Sequence, residues 1–423
     1  MASAADISGL VEPERVHGSV YLDDEIFEAE LDRIFERHWV FIGHAGEIPE
    51  PGDYRQRWIG RQPVIFVRDQ QGEVRVLMNR CMHRANAVCH QERGNAKGFT
   101  CPYHGWRYRL DGALAAVPYA DRYPEQFDRR ELGLRKARSE GHRGFIFATL
   151  NLDDVSLAEH LGAHVMAELD DIADLSPEGE LLATAGAHRL RYAGNWKLQV
   201  ENVIDGYHAN FAHRSHYDNV KARTGFDMTE LGTSASPATV SDLGNGHCSW
   251  DSSALLARGT RSFSQAGADV QQAYEKSLVA AHGQERVDQV LGKGGTHLYI
   301  WPNFSYVGAH FRIFQPIAPA ETQVQLVPLT LKGAPPEVNR SRLRMHEVFY
   351  GPAGNGQADD LEIFERNQIG LAASLAPWSL LTRGAHLEQR RNDGTVTGQI
   401  TDELPNRAIF RKWAEVMAEP VPA

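Results

Sequence analysis

Four residues with metal-ligand chemistry fall in two short clips: Cys81 and His83 in CMHRAN, and Cys101 and His104 in CPYHGWRY, with 17 residues between the clips. Clips of this kind bring two thiolates and two imidazoles together from neighbouring loops. The donor set suits a tetrahedral structural zinc ion. It also suits a 2Fe-2S cluster in which both thiolates hold one iron and both imidazoles the other. The other two cysteines, Cys89 and Cys248, have no ligand spacing and are expected to be buried as small apolar groups.

A second constellation lies in NWKLQVENVIDGYHANFAHRSH, which contains Asp205, His208 and His213. A mononuclear Fe(II) centre that handles oxygen needs two neutral imidazoles and one carboxylate on one face of the metal. On a regular helix His208 and His213 would point about 140° apart, at roughly 100° per residue. Both reach one metal only if the helix bends or ends between them, so a distortion is expected near Ala209 to Ala212. Taken alone, an HxxxxH pair is a weak signal.

The hydropathy pattern outlines the elements that must position these groups. YLDDEIFEAELDRIFERHW repeats Ile26, Phe27, Leu31, Ile34 and Phe35 at three- and four-residue spacings, which predicts an amphipathic helix before about residue 38. From Trp39 to about Leu150, short runs such as VFIGH, PVIFVRD, VRVLMN and GFIFATL alternate with Gly, Pro, Asp and Asn, predicting a compact β domain. VSLAEHLGAHVMAELDDI reads as a helix. HRLRYAGNWKL and THLYIWPNFSYVGAHFRIFQP read as antiparallel strands, and DDLEIFERNQIGLAASL and NRAIFRKWAEVM as helices. Residues 232–262, rich in Ser, Gly and Ala, read as a loop excursion. The pattern is α+β, with one domain at 39–155 and a second built from 1–38 and 156–423.

Composition narrows the function classes. With 42% hydrophobic and 23% charged residues in 423, the chain is neither disordered nor a disulfide miniprotein. Lys+Arg 44 against Asp+Glu 55 gives a net charge of −11 without a basic block, which argues against nucleic acid as a partner. No run of about 18 apolar residues predicts a membrane span. The first residues lack the basic start and apolar stretch of a signal peptide, so a cytoplasmic protein is expected. No GxGxxG lies between a strand and a helix, so NAD(P)H and flavin are expected to bind another protein.

CMHRAN and CPYHGWRY, with the flanking Arg84, Gly105 and Trp106, resemble the cluster loops of Rieske non-haem iron oxygenases, the large (alpha) subunits of aromatic-ring-hydroxylating enzymes. ENVIDGYHANFAH resembles the iron motif of the same family. The likeness extends to the GPAG turn at 351–354 and the closing helix around Trp413, and DDLEIFERNQIGLAAS is nearest to the benzoate, salicylate and anthranilate group. The resemblance implies a Rieske 2Fe-2S cluster on Cys81, His83, Cys101 and His104. It implies mononuclear Fe(II) on His208, His213 and the second acid after the GPAG turn, Asp360. Asp359 is then expected to cap the following helix, with Glu362 and Glu365 exposed. Neither loop has the additional cysteine of high-potential respiratory Rieske proteins, which implies a low potential.

In the family the acid at Asp205 hydrogen-bonds the iron-ligating histidine and bridges to a Rieske histidine, here His104, of a neighbouring subunit. This implies a homotrimer, with or without small β subunits. The implied fold is an all-β Rieske domain plus a helix-grip catalytic domain, an antiparallel sheet around a long helix. The family's pocket positions correspond to Asn202, the strands from His297 through Val307, and Tyr350. Strand alternation puts Arg312 and Gln315 on opposite faces, so at most one faces a substrate; an outward salt bridge is expected for Arg312, the alternative being a buried Arg312 that pairs with a carboxylate. The implied activity is hydroxylation of an aromatic carboxylate, with electrons from NAD(P)H arriving through a separate reductase, with or without a ferredoxin. The alternatives are a dioxygenase of neutral or polycyclic aromatics and a Rieske monooxygenase or demethylase. A Rieske electron carrier is the non-enzyme alternative, and it would not need the second ligand set.

Overall fold

The computed structural model describes residues 7, 9–225, 227–256, 266–293 and 297–419. Two compact units divide the chain, Phe35–Leu157 on one side and Met1–Ile34 with Ala158–Ala423 on the other.

In the Phe35–Leu157 unit, the apolar run of Gln62–Arg68 is explained by its place inside a four-stranded antiparallel sheet. It lies between Val74–Met78 and Asp53–Ile59, and Arg93–Asn95 pairs with the far edge of Asp53–Ile59. Val64, Ile65, Phe66 and Val67 are all buried, so both faces of this strand are covered. Val74–Met78 runs directly into the Cys81 loop. The Cys101 loop joins Phe99–Thr100 to Arg107–Tyr108, two strands of a small sheet completed by Leu114–Ala116. Val40–His44, Phe145–Thr149 and Arg138–His142 form a further antiparallel sheet. Cys81, Cys89 and Cys101 are buried in one core with Ile65, Val67, Phe99 and Tyr108.

The other unit is organised by a nine-strand antiparallel sheet among the described residues. Its order is His188–Tyr192, Glu321–Pro328, His310–Ala318, Phe304–Val307, His297–Ile300, His247–Asp251, Thr239–Gly244, Val396–Gln399 and Gln389–Arg390. The Leu404–Ala418 helix, with Trp413 fully buried, packs on Thr239–Gly244 and His247–Asp251. The Trp196–Val203 helix packs on the strands that follow residue 297. The unit is thus a helix-grip arrangement of mixed helix and antiparallel sheet.

Several elements depart from the sequence expectation. The N-terminal helix is broken at Asp23, which is extended and caps a new helix, Asp24–Glu30, by accepting from the N–H groups of Glu25 and Ile26. A π-turn, Leu31–Phe35, follows, and Ile26, Phe27, Leu31, Ile34 and Phe35 are all buried. In HRLRYAGNWKL only His188–Tyr192 is a strand. Asn195 accepts from the Lys197 N–H at 3.1 Å and starts the Trp196–Val203 helix, so its capping chemistry outweighs the alternation. The loop expected at 232–262 instead contains a hairpin, Thr239–Gly244 with His247–Asp251, and a short helix, Ser253–Leu256. Its two-residue turn is Asn245–Gly246, both at positive φ, an Asn-Gly hairpin signal. Residues 257–262 of that expectation lie outside the described residues. The Pro336–Tyr350 helix has no counterpart in the sequence reading.

Candidate metal centres and substrate cavity

Both cysteine clips fold as the same turn. The Ala85 N–H donates to the Cys81 carbonyl at 3.0 Å, and the Gly105 N–H to the Cys101 carbonyl at 2.9 Å. Each turn closes on a left-handed residue, Ala85 (φ 61) or Gly105 (φ 71), and the cysteine N–H groups donate to Asn86 and Trp106 at 2.8 Å. Gly105 suits that conformation, whereas Ala85 adopts it at a cost of roughly 1–2 kcal/mol. The loops bring the His83 and His104 rings to 4.6 Å, and the His83 ring stacks on Trp106 at 5.0 Å. Both Nδ1 atoms are buried without a hydrogen-bond partner, and burial, with the neighbouring His104 and Arg84, holds His83 below its ordinary range. Two buried thiols and two unpaired imidazole nitrogens make a donor set that a metal group would complete. The Tyr108 hydroxyl lies 3.2 Å from Cys81 Sγ and accepts from the Met82 N–H at 3.0 Å.

The second constellation is assembled by breaks in the chain. The Trp196–Val203 helix ends at Ile204, and Asp205 lies in the loop that follows. A one-turn helix, Ala209–Ala212, follows, and His213 (φ −100, ψ 26) separates it from Arg214–Thr224. The distortion therefore falls on His213 and before His208, while Ala209–Ala212 itself is helical. It turns both rings to one side, with centroids 5.2 Å apart.

Asp360 arrives from the Gln357–Leu371 helix and is buried. Its Oδ1 lies 3.2 Å from His213 Nε2 and 3.7 Å from His208 Nε2. All three donor atoms lie within 4.8 Å of one another. Ligand bonds of about 2.1 Å place neighbouring donors roughly 3 to 3.5 Å apart, so the set fits a metal ion. Asp205 Oδ2 accepts from His208 Nδ1 at 3.1 Å, which makes Nε2 the lone-pair nitrogen on the side of Asp360. Burial pulls His208 down, but the Asp205 hydrogen bond and the Asp205 and Asp360 charges outweigh it, and the net shift is upward.

Asp359 does not cap its helix. Gly356 occupies the cap position, and Asp359 lies in the first turn with its carboxylate 3.7 Å from His213 Nδ1. Glu362 is exposed, whereas Glu365 is half-buried and accepts from the Ala193 N–H at 3.1 Å. A Cβ on Gly356 would sit 2.2 Å from the Phe349 ring, whose centroid is 4.9 Å from that of His213.

Beside these three residues lies a cavity of about 340 Å³. Asn202, His297, Val307 and Tyr350 all line it, and Asn202 Nδ2 is 3.2 Å from both His208 Nε2 and Asp360 Oδ1. His297 is covered by the Trp250 ring at 3.5 Å, and burial, then the Arg312 and His208 charges, hold it well below its ordinary range. Arg312 is not in an outward salt bridge. It is 3% exposed and lines the cavity, while Gln315 on the other face accepts from Gln323. Arg312 Nε donates to His310 Nε2 at 3.1 Å, its guanidinium lies 4.9 Å from the Tyr350 ring centroid, and Nη1 has no partner among the described residues.

The sequence reading missed His310, Arg342, His346 and Phe349, which also line the cavity. The last three lie on the overlooked Pro336–Tyr350 helix. Their spacing of four and three residues was the available signal, and it was obscured because the stripe is polar.

Residues 38–129 match the Rieske 2Fe-2S domain, and residues 180–419 match the catalytic domain of the ring-hydroxylating alpha subunit. The two matches define a class, the oxygenases that join a Rieske cluster domain to a mononuclear-iron catalytic domain. The chain is 32% identical over 383 residues to the anthranilate 1,2-dioxygenase large subunit of Acinetobacter baylyi, covering 88% of this chain and 80% of that one. It is 33% identical over 394 residues to the 2-halobenzoate 1,2-dioxygenase large subunit of Burkholderia cepacia, covering 90% and 83%. Naphthalene 1,2-dioxygenase from Rhodococcus sp., solved with indole bound, superposes with a TM-score of 0.83 at 26% identity, covering 96% and 95%. The chain belongs to the ring-hydroxylating oxygenase large (alpha) subunit family and is an oxidoreductase. Membership in the catalytic family excludes a bare electron carrier. Among the described residues no helix is long and apolar enough to cross a membrane.

Proposed function

We propose that the chain is the large subunit of a terminal oxygenase that hydroxylates an aromatic carboxylate, using dioxygen and electrons from a separate NAD(P)H-dependent reductase, with or without a ferredoxin. Arg312 carries the substrate half of this reading. It is a permanently charged, buried side chain that lines the cavity beside His208, His213 and Asp360 and has no acidic partner among the described residues. An unpaired buried charge is costly, and a substrate carboxylate supplies the missing partner through a charge-assisted, fork-shaped hydrogen bond. The names of the anthranilate and halobenzoate relatives agree with that chemistry.

In this reading Cys81, His83, Cys101 and His104 hold the 2Fe-2S cluster, and His208, His213 and Asp360 hold the mononuclear iron. The two groups supply single-electron delivery and dioxygen activation when bound. The chain's own residues do the positioning. Asp205 keeps the His208 proton on Nδ1 and, in a homotrimer with or without small β subunits, bridges toward His104 of a neighbouring chain. Asn202 holds the Asp360 carboxylate by donating from its side-chain amide. Arg312 sets the depth and orientation of the ring, while Val307, Phe349 and Tyr350 keep water from its faces. One test is substrate-stimulated oxygen uptake by the holoenzyme with a compatible reductase. Uptake with benzoates and anthranilate, weakened about tenfold or more in kcat/KM by Arg312→Gln, is expected. Uptake with naphthalene or biphenyl and none with the acids would reverse the assignment.

A further inference from the structure

Arg342 is a second buried cation of the same cavity, 3% exposed like Arg312. Its Nη2 donates to the Tyr306 hydroxyl at 3.4 Å, a long bond, and that hydroxyl itself donates to the Gly308 carbonyl at 2.6 Å. Arg342 Nε has no partner among the described residues. The two acids that line the cavity, Asp205 and Asp360, are engaged with His208 and His213. The stretches 257–265 and 294–296, outside the described residues, contain no Asp or Glu.

The two arginines belong to one wall. His346 follows Arg342 by four residues, one turn along the same helix, and its ring is 4.7 Å from that of His310, which takes the Arg312 Nε–H. Both ring nitrogens of His346, and Nδ1 of His310, lack partners among the described residues. Burial first, then neighbouring histidines and Arg312, keep His346 and His310 uncharged near neutral pH. The charged groups of the wall that line the cavity are therefore two guanidiniums, while the exposed Glu347 carboxylate beside His346 is bonded to His188 at 2.8 Å and does not line the cavity. An anionic occupant relieves the two guanidiniums. The lining also includes the apolar side chains Val203, Val307, Met345 and Phe349, which suit a ring.

The geometry points to an aromatic substrate carrying two anionic groups, one carboxylate on Arg312 and a second on Arg342, as in a benzenedicarboxylate. This rests on the aromatic-acid reading and narrows it. The test is anaerobic calorimetric titration of the holoenzyme with benzoate, with benzene-1,2-, 1,3- and 1,4-dicarboxylate, and with naphthalene. At least one dicarboxylate is expected to bind about tenfold or more tightly than benzoate, the worth of one further charge-assisted bond. Arg342→Gln is expected to lower that ratio about tenfold. Arg342→Lys lowers it less, because it keeps the charge and loses the fork. Benzoate binding as well as every dicarboxylate overturns the inference and leaves the aromatic-acid reading intact. Naphthalene binding alone overturns both. A ratio unchanged in both folded Arg342 variants also refutes the assignment.

Discussion

Glu30 joins three helices through one carboxylate, and replacing it with Gln is the most demanding test of how the catalytic unit is held. The residue is 0% exposed. Its Oε1 accepts from Lys197 Nζ at 2.6 Å and from Trp413 Nε1 at 2.6 Å, and Oε2 accepts from Trp196 Nε1 at 2.8 Å. Burial pulls Lys197 below its ordinary range against the raising effect of the Glu30 charge. Glu30→Gln keeps the volume, removes the countercharge, and turns one acceptor into a donor that must face an indole or ammonium hydrogen. An uncompensated buried partner costs about 3–5 kcal/mol, a large share of the roughly 5–15 kcal/mol that stabilises a domain. Urea unfolding followed by tryptophan fluorescence reads the loss directly. Adding Lys197→Met should restore part of it, because a pair replaced by apolar groups is far less costly than a broken one. A loss under about 1 kcal/mol for Glu30→Gln alone would refute the assignment of the pair as the joint of these helices.

Further predictions follow from single contacts. Gly356→Ala should push the Phe349 ring toward His213 and into the cavity, seen as a raised KM and reduced iron retention; unchanged kinetics would show that the ring has room to retreat. Tyr108→Phe removes the hydroxyl 3.2 Å from Cys81 Sγ, so the cluster's reduction potential should fall, and a potentiometric titration with no shift would contradict the hydrogen bond. Glu201 is raised from 4.5 to about 7 by burial, which outweighs the Tyr21 hydrogen bond and Lys197 and is reinforced by Asp205 and Glu403. Its protonated form is favoured in the fold, so its contribution to stability is complete below about pH 4.5 and is lost as pH rises through about 7. Glu201→Gln should flatten the stability profile across that window.

The cysteine clips were legible because their spacing is local: each is a single turn closed by one left-handed residue, and the sequence contains the whole turn. His208 and His213 were legible as a pair for the same reason, and their angular mismatch on a regular helix signalled that the backbone had to break. Asp360 lies 147 positions beyond His213, and only family likeness picked it from the neighbouring acids. The helix cap was misassigned to Asp359 because Gly356, which leaves room for Phe349, starts the helix three residues earlier than the acid pattern suggests. Arg312 shows what strand alternation cannot provide. Period two separates it from Gln315, but only the fold decides which face becomes the cavity. The Asn245–Gly246 turn was readable and was masked by the Ser, Gly and Ala content around it.

The central claim is oxygen insertion into an aromatic acid at the His208, His213, Asp360 site. Its most direct test is a single turnover of the chemically reduced holoenzyme with ¹⁸O₂ and a panel of aromatic mono- and dicarboxylates beside neutral arenes, reading product masses. One or two labelled atoms in an aromatic acid, abolished by Asp360→Ala with the visible cluster spectrum intact, is the predicted result. Labelled products from neutral arenes alone, or labelled acid that persists in Asp360→Ala, would contradict it.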